Sequence, residues 1–101
     1  MLKKSVPYIG VFKLTSGEEI ISKVIEETIS SVIVSHPLQM VPGQQGFRFA
    51  PFMLMTNADK NIEIYKSSIM SNGTPASELE GQYESITSGI ALPQKNSIIT
   101  G

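Results

Sequence analysis

The sequence predicts an all-β protein: a small, five-stranded, strongly bent open barrel with one helix at its C-terminal end. Short apolar segments recur along roughly the first 70 residues, and residues suited to turns separate them. A threonine–proline pair typical of a helix start appears only after these segments, and apolar residues with helical spacing follow it. The five strands are predicted over residues 8–14, 20–25, 31–34, 47–55 and 62–70.

The segment 12–34 forms the centre of the predicted barrel. Gly17 lies in its first turn, where a glycine reaches positive φ without steric cost. Phe12 faces one side of the first strand, but Val11 and Ile21, on the opposite faces of their strands, are also apolar. Strands that are apolar on both faces need cover on both. We therefore expect another subunit to provide part of that cover.

Proline and turn residues divide the second half of the barrel. Residues 41–46 predict a loop, and residues 57–61 predict a hairpin turn between the fourth and fifth strands. Pro51 lies within the predicted fourth strand and cannot donate to a ladder. The fourth strand is therefore expected to be an edge strand or to carry a bulge.

The predicted helix covers about residues 75–88. Thr74 is suited to its N-cap, Pro75 to its first position and Gly89 to its C-cap. The i, i+4, i+7 spacing of the apolar residues predicts a single buried stripe. This stripe consists of Leu79, Tyr83 and Ile86.

The length of 101 residues predicts one domain over residues 1–92, followed by a flexible tail at 93–101. The net charge of -1 gives no global basic field, so any nucleic-acid binding must be local. The absence of cysteine excludes disulfides, thiolate zinc sites and cysteine nucleophiles. The beginning of the chain has no long apolar run and predicts neither a signal peptide nor a membrane span. We expect a cytoplasmic protein without a membrane partner.

The titratable residues do not predict a catalytic site. The carboxylate pairs at 18–19 and 26–27 are adjacent on strands, so their members point to opposite faces and are expected to be solvated. His36 is the only histidine, and its place before Pro37 favours a structural role. The sequence has no phosphate loop and no nucleophile elbow. We therefore predict no enzyme, no catalytic residues, no metal and no cofactor.

Two motifs resemble those of the Sm-like family, which includes the Sm, LSm and Hfq proteins. The first has the family's apolar-x-Leu-x-x-Gly start, with apolar residues three and seven positions after the glycine; it consists of Phe12, Leu14, Gly17, Ile20 and Val24. The second is similar to the Tyr-Lys-His-Ala-Ile motif of the bacterial RNA chaperone Hfq; it consists of Tyr65, Lys66, Ser67, Ser68 and Ile69. Small Sm-like proteins also occur in phages, and a phage-encoded member of the family is one expectation.

This resemblance implies an SH3-like barrel that closes into a homo-oligomeric ring and binds single-stranded RNA, as RNA chaperones do. The family's pore-lining loop falls at Lys66, so a ring would repeat this lysine around its pore. The RNA-binding residues implied are Lys66 and Ser67 on one loop, with Thr28 and Ser31 beside it. Lys66 is not predicted to be buried.

Several positions depart from the family pattern. Ser67 replaces the histidine of the Hfq motif, Ser22 the second glycine of the first motif, and Thr28 the family's aspartate. The helix lies after the barrel, whereas the family places a helix before it. These departures favour an alternative function: a ring-forming structural module, for instance in a phage particle, without nucleic-acid binding.

Overall fold

The computed structural model describes residues 5–57 and 59–91, without the side chains of residues 89–91. The predicted class is confirmed, since the described chain is mostly strand and ends in one helix. The predicted fifth strand is divided in two by a 3-10 turn at Lys66–Ser68, so six strands are present. They are β1 (Tyr8–Leu14), β2 (Glu19–Glu27), β3 (Ser31–Gly43), β4 (Gly46–Pro51), β5 (Ile62–Tyr65) and β6 (Ile69–Gly73), followed by α1 (Ser77–Ala91). The predicted tail at 93–101 lies outside the described residues.

All strand pairs of the bent, open sheet are antiparallel, in the order β4-β3-β2-β1-β6. β5 also pairs with β3, along the first half of that strand, while β4 occupies the second half. The expected hairpin between the fourth and fifth strands is therefore wrong, because β4 and β5 both pair with β3 and follow one another along it. β4 and β6 end the sheet, and Pro51 is in an edge strand, as expected.

β3 is much longer than predicted, with 13 residues. His36 has a φ of 52°, in the left-handed region that side chains rarely adopt, and the β2–β3 register shifts beside it. This bend lets the strand continue through Pro37 into the segment predicted as a loop. The following turn closes at Gly46, whose φ of 111° favours glycine.

The core lies on the inner face of the bent sheet. Its buried side chains come from four strands, so the first and last parts of the barrel share one core: Phe12, Leu14, Ile20, Val24, Val32, Val34 and Ile64. On the other face, α1 lies beside β1 and β2. Leu79 and Val11 line one cleft there, and Tyr83 and Ile9 line another. α1 thus lies over part of the face for which cover was expected from another subunit, with open clefts between the helix and the strands.

Tyr83 anchors α1 to the sheet. Its side chain is 2% exposed, and its hydroxyl donates to the carbonyl oxygens of Ser35 (3.0 Å) and His36 (2.8 Å). The helix begins at Ser77, later than the sequence predicts, and continues through Gly89, the predicted C-cap. The Tyr83 hydroxyl bonds to the carbonyl of His36, the residue with φ 52°. α1 therefore also stabilises the bend of β3.

Ser22 lies on β2 between Ile20 and Val24 and is fully buried, with no hydrogen-bond partner for its hydroxyl in the described residues. It is paired with Gly10 of β1. A Cβ at Gly10 would come within 3.1 Å of the Tyr8 ring. The Tyr8 ring therefore leaves little room for a side chain at Gly10, and a small residue, Ser22, stands opposite.

Candidate functional site

Two turns meet at one end of the sheet: the β2–β3 turn and the 3-10 turn between β5 and β6. The Lys66 amide donates to the Ser30 carbonyl at 2.8 Å, which joins them directly. Three of the four predicted RNA-binding residues come together here. We call this region the charged corner; it consists of Glu27, Thr28, Ser31, Glu63 and Lys66.

Thr28 shapes the β2–β3 turn. Its hydroxyl oxygen accepts the amide N–H groups of Ser30 (3.2 Å) and Ser31 (2.9 Å). Its own amide donates to the Ser31 carbonyl at 2.8 Å. Threonine hydroxyls commonly stabilise turns by such local bonds. The hydrogen bonds that close the turn are thus sufficient to explain a threonine at position 28.

Ser31 connects that turn to β5. It is fully buried, and its Oγ lies 2.8 Å from the Thr28 Oγ1 and donates to the Glu63 Oε2 at 2.8 Å. Both contacts are within the chain. The Ser31 hydroxyl, one of the groups expected to contact RNA, is therefore already engaged and inaccessible to solvent.

Lys66 forms an ion pair that the sequence analysis did not predict. Its Nζ donates to the Glu27 Oε2 at 2.6 Å, and the two side chains are only 15% and 19% exposed. Lys66 is therefore partly buried rather than fully buried, while the expectation of a solvated Glu27 is wrong. Side chains alternate between the two faces of a strand, but this alternation does not predict which residue of another strand a carboxylate will contact. Here β3 brings the end of β2 beside the end of β5.

The charges of the corner do not sum to a positive site. The corner contains two carboxylates, Glu27 and Glu63, and one ammonium, that of Lys66, so its formal charge is -2 + 1 = -1 at pH 7. Burial raises the pKa of the Tyr8 phenol, and the Glu27 carboxylate raises it further. The corner is a mixed-charge cluster with a slight excess of negative charge.

Exposed groups surround this cluster. Ser67, the fourth predicted site residue, is exposed on the 3-10 turn. Tyr65 is 57% exposed, and Ile29, in the β2–β3 turn, is 98% exposed. A ligand approaching the corner would meet these side chains before the paired Lys66.

A second feature, missed in the sequence analysis, is an apolar groove of about 480 Å³. The groove lies where the second half of β3, β4, residues 52–57 and α1 approach each other. Met55 comes directly after the groove-lining Leu54 and is 99% exposed. Met55 ends the predicted fourth strand, whereas β4 ends at Pro51. Apolar side chains that line the groove include Leu38, Phe49, Met53, Leu54, Ile62 and Ile86.

A cleft of about 600 Å³ with mixed polar and apolar walls lies between α1 and strands β1 and β2, and its charged lining residues are Lys23, Glu80 and Glu84. Within residues 5–57 and 59–91, no group of three or more histidine or acidic residues could hold a metal ion. No helix in the described part of the chain has the length and apolar character needed to cross a bilayer.

The resemblance to the Sm-like family rests on the motifs around Gly17 and Lys66. These motifs are neighbours in space, since the Thr15 amide donates to the Ser68 carbonyl at 2.8 Å. No protein-family model matches the sequence, and no curated protein is significantly similar to it.

Proposed function

We propose that this chain is a self-assembling β-module that forms a homo-oligomeric ring through the free edges of β4 and β6. The observation that carries the proposal is the strand order, which leaves β4 and β6 at the two ends of the described sheet, with β5 continuing the β4 edge along β3. An unpaired edge presents a row of backbone donors and acceptors and recruits other strands.

The free edge of β4 can be defined by residue. The Phe52 amide donates to the Pro37 carbonyl at 3.0 Å, which places residue 52 among those bonded to β3. Bonding alternates along an antiparallel strand. By this alternation the amides of Phe47 and Phe49 point outward, and Pro51 occupies an outward position where no N–H is needed. A neighbouring strand would therefore find two donors here.

The two free edges belong to different strands, so joining them gives a head-to-tail contact. Such a contact closes into a ring or continues as a fibre. The resemblance to the Sm-like family supports closure. The charge of the corner supports a structural role for the ring, as in the phage-particle alternative, because the ammonium of Lys66 is paired within the chain.

Replacing Phe47 with proline should abolish the edge contact and leave the fold of the monomer intact. Proline removes an outward N–H and leaves the inward ladder bonds in place. Phe47 is 72% exposed, so little packing is lost. The Phe47→Ala variant is the matched control, because it truncates the same side chain but keeps the amide. Sedimentation velocity should show a smaller particle for Phe47→Pro alone; equal particles would contradict the edge proposal.

Binding of single-stranded RNA at the charged corner is the second candidate function. It is favoured by the convergence of Thr28 and Lys66 at one end of the sheet, with exposed Ser67 and Tyr65 beside them. Backbone charge and stacking on aromatic rings commonly hold single-stranded RNA. In this function the Lys66–Glu27 pair must open, because the ammonium cannot meet phosphate at full strength while a carboxylate lies 2.6 Å away.

If RNA binds at the corner, Glu27→Gln should strengthen binding and Lys66→Glu should abolish it. The first variant frees the ammonium of Lys66, and the second reverses the only positive charge of the corner. Contacts to phosphates also make the affinity fall steeply with salt. The measurement is fluorescence anisotropy with labelled oligo-U and oligo-A over a salt series. If the parent and both variants fail to bind at low salt, the purely structural module is favoured; equal binding by all three would place RNA elsewhere.

A further inference from the structure

The apolar groove is large enough to receive side chains from another molecule. Its volume is about 480 Å³, whereas a cavity of about 150 Å³ lined by apolar residues already holds benzene. Its walls are predominantly apolar and come from separate elements, with Leu38 on β3, Phe49 on β4 and Ile86 on α1. Ile86 is still 40% exposed although it belongs to the apolar stripe of α1.

The same chain presents an apolar projection at the rim of this groove. Leu54 lines the rim and is 82% exposed, and Met55 beside it is 99% exposed. Methionine is flexible and adapts to irregular apolar surfaces. A projection and a recess of the same chemistry thus lie side by side on one surface.

From this arrangement we propose that a second copy of the chain covers the groove in a two-fold symmetric contact. Met55 of each copy enters the groove of the other. A two-fold contact requires one surface patch to be complementary to itself, and an adjacent projection and recess satisfy this requirement. The contact is separate from the head-to-tail contact of β4 with β6, and it would pair two rings face to face.

Charge and size favour a second copy as the occupant. Arg48 is the only charged residue between positions 40 and 57, so this surface can be desolvated with little loss of charge hydration. Met53, Leu54 and Met55 are 45%, 82% and 99% exposed beside the groove walls, so the contact would cover several large apolar side chains of each copy. Because this surface carries so little charge, it would not attract a strongly charged partner.

The test compares two variants that leave the core untouched. Met55→Asp places a charge at the centre of the proposed contact, and Ile29→Asp is the matched control. Ile29 is 98% exposed and does not line the groove. We expect native mass spectrometry to show a halved particle mass for Met55→Asp and the parental mass for Ile29→Asp, with unchanged circular dichroism for both. Ile86→Asp, on the groove wall, should also halve the mass.

The groove contact and the edge contact fail in different ways. If both exist, Phe47→Pro leaves a two-copy particle, and Phe47→Pro with Met55→Asp leaves a monomer. A Met55→Asp particle with the parental mass overturns the groove contact. A Phe47→Pro particle with the parental mass overturns the edge contact instead. A monomeric parent overturns both.

Discussion

Ile64→Asp is expected to unfold the protein. Ile64 is 6% exposed and packs in the core with residues from β1, β2 and β3. An unpaired carboxylate at such a site costs several kcal/mol, and the lost apolar packing adds about 2–5 kcal/mol. The total is comparable with the ~5–15 kcal/mol that stabilises an ordinary domain. Circular dichroism and urea titration should show loss of the folded state.

Two control variants test whether the effect of Ile64→Asp comes from the burial of Ile64 or only from its position in β5. Ile64→Val keeps the packing and should cost only about 0.5–1.5 kcal/mol. Tyr65→Asp changes the next residue of the same strand, which is 57% exposed, and should remain folded. If Ile64→Asp unfolds at the same urea concentration as the parent, Ile64 is not in the core and the register of β5 against β3 is wrong.

Tyr83→Ala should be the second most damaging change. Tyr83 is the main buried anchor of α1, and removal of a large buried aromatic side chain costs about 3–5 kcal/mol. Tyr83→Phe keeps the ring but removes the bonds to Ser35 and His36, so a smaller loss of about 1–3 kcal/mol is expected. Urea unfolding of the three proteins measures these differences. Equal stability of the Ala variant and the parent would show that α1 is not anchored through this residue.

The pH dependence of the same variants provides an independent check. Burial raises the pKa of Tyr83 to about 12 from its ordinary value of 10.0. The folded chain thus favours the neutral phenol, and the resulting stability is complete below pH 10 and lost as the pH rises through 12. Phenylalanine does not ionise. The stability advantage of the parent over Tyr83→Phe should therefore decrease between about pH 10 and pH 12, and a constant difference would contradict the burial of the hydroxyl.

Local patterns predicted the strands well where the chain follows a regular alternation. β1 has the predicted bounds, and β2 extends the predicted strand by one residue before it and two after it. β3 was predicted too short because Pro37 and Pro42 suggest chain breaks. The strand passes these prolines by means of the bend at His36, whose positive φ is held by a tyrosine 47 residues later in the sequence. No local pattern contains that information.

The candidate site shows the same limit. The family motifs led to Thr28, Ser31 and Lys66, which do lie together. Their contacts depend on the pairing of β3 with both β2 and β5, which determines that Glu27 reaches Lys66 and that Glu63 reaches Ser31. The apolar groove was missed because its walls come from elements that are distant in sequence.

The native mass of the purified chain tests the central proposal of edge-driven self-assembly most directly. A ring built from a head-to-tail contact contains three or more copies, and two rings joined through the groove contain an even number. Native mass spectrometry at micromolar concentration should therefore show one dominant closed species with an even multiple of 11.0 kDa, six copies or more. A dominant species of 11.0 kDa would contradict the proposed assembly.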